Sequence, residues 1–260
     1  SGLQPIGVKY DDASRKVVCT LEQDDIMDGL NWLHKWYQDG IINPDANVVT
    51  DGGKGSIFGS AQGWPAAATT WAFNQGIEKY DLTQVFGPLY TTETIQGSMN
   101  AISANSKYKT EALKVLQLMN TDPKFRDMCA YGTEGNYMEY AEDGTVQKLR
   151  DDWNWPSYTQ GTFFILSTQA DGDPDAWNQV KEQNESATSS TCLGFALDVT
   201  NIQNEIANCN TVWDKYKNDL LTGASDPATA VPACIEELKA AGLDTVIGEA
   251  QKQVDEFFAN

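Results

Sequence analysis

Aromatic rings interleaved with amides recur along this sequence: Trp64 beside Gln62 and Gly63, Tyr137 beside Asn136 and Glu134, and Trp153, Trp155 and Tyr158 around Asn154. Such rings suit sugars, whose axial C–H faces are apolar and whose rims hydrogen-bond. The alternative for each ring is core packing, and Trp32, Trp71 and Trp213 read that way. Paired carboxylates for glycoside hydrolysis are the second chemistry available, with Glu134 and Asp198 the first pair to try. Acyl transfer is disfavoured, because the lone histidine, His34, reads as a half-exposed surface group with no G-x-S-x-G elbow in the chain. "GGKGS" (52–56) lacks the order of a phosphate-binding loop, and no G-x-G-x-x-G follows a strand, so no nucleotide or other cofactor is implied. Asp171, Asp173, Asp175 and Glu182 are spaced like a calcium loop, but Ala176 stands where that loop turns on glycine, and Asp173–Pro174 explains the cluster as a helix start. Five cysteines without a C-x-x-C pair imply neither a disulfide framework nor a zinc site; Cys209 and Cys234 lie on apolar helix stripes as small core residues.

The elements that must position these groups alternate. "GKGSIFGSAQGWPAAATTWAF" (53–73) reads as a strand from Ser56 to Gly59, a polar turn, and a helix with Pro65 in its first turn. Trp64 then stands at a strand end near a helix N-terminus, either offering a face to a neutral polyhydroxylated ligand or capping the strand from within the core. Before it, 24–39 is an amphipathic helix with Ile26, Leu30, Leu33 and Tyr37 on one stripe, stopped by Gly40. Strands are expected at 85–90 and 98–103, sharing one sheet with 56–59, and a helix from Ser106 to Asn120. Asp-Pro helix starts recur at Asp122, Asp173 and Asp226. "NYMEYAEDGTVQKL" reads as a hairpin turning on Asp143–Gly144 in type I′ geometry. From Asp151 to Gly172 the chain is irregular and aromatic, and beyond it helical. Thr200 and Gln203 form a capping box ahead of a stripe through Ile202, Ile206, Cys209, Trp213, Tyr216 and Leu220, and helices over 227–241 and 244–258 finish the chain, the last with Ile247, Ala250, Val254 and Phe257 on one side.

With 260 residues the chain can bury one large core or two small ones. Its 18 Lys and Arg against 37 Asp and Glu leave a net charge of −19, which repels phosphate backbones and anionic lipid and makes nucleic acid an unsuited partner. Mean hydropathy is −0.44, with no apolar run of membrane-spanning length, and the opening "SGLQPIGVKYDD" has neither the charged n-region nor the apolar h-region of a signal peptide, so the chain is expected to be mature, cytoplasmic or cut from something longer.

Several of these stretches together resemble the C-terminal half of the extracellular solute-binding proteins of ABC importers, family 1. "GLNWLHKWYQDGIINPDA" resembles that family's helix and its exit, "GKGSIFGSAQGWP" its strand and ligand-facing tryptophan, and "GSMNAISANSKYKTEALKVLQLMNTDPKFRDM" its hinge strand and following helices. "YGTEGNYMEY", "WNWP", "LGFALDVTNIQNEIANCNTVWDKYKNDLLTG" and "AAGLDTVIGEAQKQVDEF" resemble the C-terminal domain of unknown function of LipO-like lipoproteins from Firmicutes. The resemblance implies an α/β fold of the type II periplasmic-binding-protein kind, a mixed sheet flanked by helices with a helical C-terminal part. Residues 1–96 would belong to the C-terminal lobe, 97–150 to a hinge strand and a return into the N-terminal lobe, and 151–260 to a helical part completing the C-terminal lobe. It also implies a fragment lacking most of the N-terminal lobe, whose parent is a monomer lipid-anchored on the outer face of the membrane. That parent would capture an oligosaccharide and deliver it to permease subunits, with no catalysis. The carried-over ligand contacts are Trp64, Gln62 and Gly63, the loop with Glu134, Asn136 and Tyr137, and Asp198 with Phe195; Trp155 joins them from the aromatic segment. A hydrolase, or a non-catalytic surface interaction module, is the alternative.

Overall fold

The computed structural model describes residues 4–49, 59, 61–65, 67–68, 71–72, 76–78, 81–150 and 152–259. The chain divides into two compact units, Ser1–Gly59 with Ser190–Asn260, and Ser60–Ser189.

The first unit is built on its C-terminal helices. Helix α6 (Gln203–Thr222) carries the stripe that its sequence spacing predicts, with Ile206, Cys209, Trp213 and Leu220 buried, and Gly223 ends it in the left-handed region. Against this stripe pack Val231, Cys234 and Leu238 of α7 (Pro227–Ala240), Leu243 and Val246 of α8 (Leu243–Phe258), and Leu30 of α1 (Asp24–Gln38). Asp226 caps α7 through the Ala228 N–H with Pro227 at the first helical position, as its sequence dictates. In α8 the buried stripe is Leu243, Val246, Ala250 and Val254, while Phe257 is half exposed at 49%.

The N-terminal segment is sewn onto the same unit. Strands β1 (Ile6–Gly7) and β2 (Val18–Cys19) pair antiparallel, the Val17 N–H donates to Gln251 Oε1 at 2.7 Å, and Asn47 Nδ2 donates to Asp219 Oδ1 at 2.8 Å.

Two sequence expectations fail here for identifiable reasons. The Thr200–Gln203 capping box does not form: Asp198 Oδ1 accepts both the N–H and the hydroxyl of Thr200, so the turn is closed before the helix begins at Gln203. On α1 the inward residues are Met27, Leu30 and Leu33, while Ile26 is 41% exposed; Trp32, read as core, is 57% exposed.

The second unit holds α2 (Thr92–Ile95), α3 (Lys109–Thr121), α4 (Pro123–Tyr131), the hairpin β4 (Met138–Tyr140) with β5 (Val146–Lys148), and α5 (Ala176–Glu185). β3 (Leu89–Tyr90) pairs in parallel with β6 (Thr188–Ser189). The α/β class holds, with both parallel and antiparallel pairing, but the single sheet through 56–59, 85–90 and 98–103 is not seen among the described residues. Residues 56–58 lie outside them and Gly59 is exposed; of 85–90 only Leu89–Tyr90 is strand, with Val85 90% exposed; and 98–103 is irregular with Met99 72% exposed. A short apolar segment makes a strand only where an edge is available to pair with: Leu89–Tyr90 finds one in β6, whereas 98–103 meets none among the described residues.

The hairpin forms, but with Tyr140 opposite Val146 rather than the Tyr140–Gln147 pairing that a two-residue type I′ turn at Asp143–Gly144 would set. Gly144 alone takes a positive φ, of 83°, while Asp143 accepts the N–H and hydroxyl of Thr145, giving a longer loop over 141–145. Asp122 caps α4 through the Phe125 N–H with Pro123 behind it, as predicted; α5 instead starts at Ala176, because Asp173 binds the Asp175 N–H and the Gln179 amide one turn early.

Candidate functional site

The candidate site is assembled on α4 and the segments that fold over it. Gly132 ends α4 with φ 89° and ψ −172°, backbone that is essentially glycine's alone, and a Cβ there would lie 2.5 Å from Tyr137 Cβ. The chain then tightens: the Thr133 carbonyl accepts from the N–H groups of both Asn136 and Tyr137, and the Gly135 N–H donates to the Met138 carbonyl. A short loop results in which Glu134 and Asn136 are exposed and Tyr137 is half-buried beneath them.

The Tyr137 ring is braced on both sides. Trp153 packs on it at 5.1 Å between centroids with planes at 56°, and the Arg150 guanidinium stands 4.8 Å from its centroid. The Trp153 indole N–H in turn donates to the Cys129 carbonyl of α4 at 3.1 Å. Tyr137 is thus a support for the loop more than an open platform. Trp155 is half-buried with its indole nitrogen enclosed and without a hydrogen-bond partner among the described residues.

Below this layer, α4 fixes the irregular 157–167 segment with two adjacent buried charges that sequence reasoning missed. Arg126 donates through Nε to the Thr162 carbonyl and through Nη2 to the Ser157 carbonyl, both at 2.9 Å, and burial pulls its pKa down. Asp127 Oδ1 accepts the Ser167 N–H, and Oδ2 accepts the Ser167 and Tyr140 hydroxyls. Each charge is therefore held by groups that it positions rather than by an opposite charge, Asp127 through both oxygens and Arg126 through Nε and Nη2, while the buried Arg126 Nη1 has no hydrogen-bond partner among the described residues. Burial, with the Asp127 bond second, pushes Tyr140 up to about 12. The Asp127–Tyr131 spacing of four, one helix face, was the signal available for this.

Gln62, Gly63 and Trp64 lie in a separate segment of the same unit. Gln62 and Gly63 are exposed and Trp64 is half-buried, its ring edge-on to Trp71 at 5.9 Å and 78°. The Trp64 carbonyl accepts the Ala67 N–H, with Ala67 and Ala68 helical, as expected of a helix opening just past Pro65. Asp198 and Phe195 belong to the first unit, and the other seven predicted ligand contacts to the second. Asp198 Oδ1 is engaged by Thr200, and those donors hold its pKa below the usual carboxylate range. Among the described residues the carboxyl groups displaced from their ordinary pKa, Asp12, Asp143, Asp152, Asp198 and Glu237, are displaced downward by donors, opposite to the direction a general acid for glycoside cleavage needs. Among the described residues no cluster of three or more His, Cys, Asp or Glu is placed to hold a metal, and no helix is long and apolar enough to cross a membrane.

Residues 191–259 match the domain of unknown function DUF3502, inside the stretch where the sequence resembles the C-terminal domain of LipO-like proteins. A carbohydrate ABC transporter substrate-binding protein of Streptococcus pneumoniae serotype 4 (strain ATCC BAA-334 / TIGR4) is 27% identical over 271 residues, which span 98% of this chain and 54% of that protein. The crystal structure of the N-glycan transport solute binding protein NgtS from S. pneumoniae superposes with a TM-score of 0.85 at 25% identity, over 100% of this chain and 60% of that one. The NgtS complexes with Man1GlcNAc and Man5GlcNAc superpose with TM-scores of 0.81 and 0.76, each at 26% identity over the same shares. The chain spans about half the length of the curated relative it matches. In sequence and in fold it is related to carbohydrate ABC transporter substrate-binding proteins.

Proposed function

We propose that the protein carrying this chain is the solute-binding component of a carbohydrate ABC importer. It captures an oligosaccharide without turnover at the outer face of the membrane, where a lipid anchor holds it, and passes the sugar to permease subunits. The observation that carries this reading is the match of the whole chain, at a TM-score of 0.85, to a solute-binding protein for N-glycan transport. The chemistry of the second unit supports it. Trp64, braced edge-on by Trp71, offers ring surface beside the Gln62 amide and the bare backbone of Gly63. Glu134 and Asn136 stand exposed over a supported Tyr137, and Trp155 brings an indole N–H that has no protein partner among the described residues.

The test is titration calorimetry of the intact protein with mannose- and N-acetylglucosamine-containing oligosaccharides, with chromatography of the same mixtures for products. Binding without products is expected, and Trp64→Ala should weaken it about tenfold, since a stacked ring contributes on the order of 0.5–1.5 kcal/mol beyond burial. Release of shorter sugars that Glu134→Gln abolishes would replace this reading with hydrolysis.

A further inference from the structure

Helix α1 carries two tryptophans on the wrong side for a core. Its packed face is Met27, Leu30 and Leu33. At about 100° per residue Asp28, Asn31, Trp32, Lys35 and Trp36 share the opposite, solvent face. Trp32 is 57% exposed and Trp36 42%, with ring centroids 6.4 Å apart and planes at 45°. A single exposed apolar side chain is ordinary; two neighbouring indoles left in water are not. Asp28, Asn31, Trp32 and Lys35 line one shallow depression. Lys35 is tethered to Asp39 by an ion pair on the next turn, whereas the side chains of Asp28 and Asn31 make no hydrogen bond among the described residues.

We infer that this face of α1 is a second saccharide-contact site, in which a single pyranose ring lays its C–H face on Trp32 and hydrogen-bonds through its hydroxyls to Asn31 and Asp28, with Lys35 at the rim. The donor and acceptor set fits that ligand class. An amide supplies both roles, a carboxylate accepts, and an ammonium donates, all beside an indole face. A membrane surface fits poorly, because the chain carries a net charge of −19 and α1 itself opens with Asp24, Asp25 and Asp28. The site belongs to the first unit, and Trp64 with the loop around Tyr137 to the second, so this inference stands or falls independently of the importer reading.

The experiment is a titration of the 15N-labelled chain with methyl β-D-glucopyranoside to about 50 mM, followed by NMR at the indole N–H and side-chain amide signals. That range covers a Kd on the order of millimolar, expected of one ring face on an open surface. Saturable shifts of the Trp32, Trp36 and Asn31 signals are expected. Trp32→Ala should abolish the response at Trp36 and Asn31, Asn31→Ala should weaken it about fivefold, and Trp64→Ala should leave it unchanged. The acyclic polyol D-sorbitol, which has hydroxyls but no ring face, should give none. Both α1 positions are solvent-facing, so circular dichroism should show the variants folded. Silence of the α1 signals, equal shifts with sorbitol, or persistence in Trp32→Ala would overturn the inference. So would sedimentation that depends on concentration and is relieved by Trp32→Ala with no glycoside response, an outcome that assigns the face to a second copy of the chain.

Discussion

Gly132→Ala and Gly135→Ala form a matched pair that measures what holds the loop of the candidate site. Both glycines have positive φ, 89° and 77°, so each substitution carries the cost of placing an L-residue there, about 1 kcal/mol at Gly135. They differ in surroundings. A Cβ at Gly135 meets nothing within 4 Å, whereas one at Gly132 falls 2.5 Å from Tyr137 Cβ and 2.7 Å from its Cγ. Tyr137 must therefore retreat, giving up its contact with Trp153, about 0.5–1.5 kcal/mol, and with Arg150, about 0.5–1 kcal/mol. The ψ of −172° at Gly132 adds strain that Gly135→Ala does not meet. Gly132→Ala should then cost about 2–4 kcal/mol and Gly135→Ala about 1 kcal/mol, read as shifts in the urea midpoint at unchanged slope. Tryptophan fluorescence is the natural probe, since Trp153 sits on Tyr137. Sugar affinity of the intact protein should fall with Gly132→Ala even in buffer where the protein stays folded. Equal costs for the two variants would refute the argument that the Gly132–Tyr137 approach fixes this loop.

Two further outcomes follow from the same structure. Tyr140 titrates at about 12 when folded against about 10 when unfolded, so folding favours its neutral form: that stability is fully present below pH 10 and lost as pH rises through 12, roughly 1–2 kcal/mol after solvent screening of a half-buried ring; urea midpoints from pH 8 to 12 should show a decline that Tyr140→Phe removes, and a flat difference between the two proteins would count against it. Gly223→Ala should destabilise the first unit by several kcal/mol, on the order of 3, because φ is +78° and a Cβ would lie 2.2 Å from the Leu33 carbonyl oxygen, and hydrogen exchange on α1 and α6 should rise while that on α4 does not.

What the sequence made legible was whatever a single element decides by itself. The α6 stripe, the Asp122 and Asp226 caps, the Gly40 stop and the burial of Cys209, Cys234 and Trp213 are all set within a few turns of one helix. The misreadings came from competition between neighbours that periodicity does not register. Asp198 took Thr200 from the helix, Asp143 drew Thr145 into a longer turn, and residues 98–103 are a short apolar segment without an edge to join among the described residues. Trp32 was misplaced for a related reason. Steps of three and four from Leu30 to Leu33 mark an inward face, and a tryptophan two positions from Leu30 lies off it, but size and hydrophobicity argued for burial.

The site was legible as a set of residue types and not as a geometry. Glu134, Asn136 and Tyr137 do share one loop, yet the groups that hold it, Gly132, Arg150, Trp153 and the buried pair Arg126 and Asp127, are its physical basis and carry no sugar-like signature. Their logic is positional: α4 commits two charges to clamping 157–167, and the clamped segment begins two residues after Trp155. A ligand-binding surface made of irregular backbone needs that arrangement, because loops without a rigid support lose in ordering what they gain in contact. If the proposed site binds sugar, the buried charges of α4 serve it as much as the exposed rings do, by fixing the 157–167 backbone without touching the ligand.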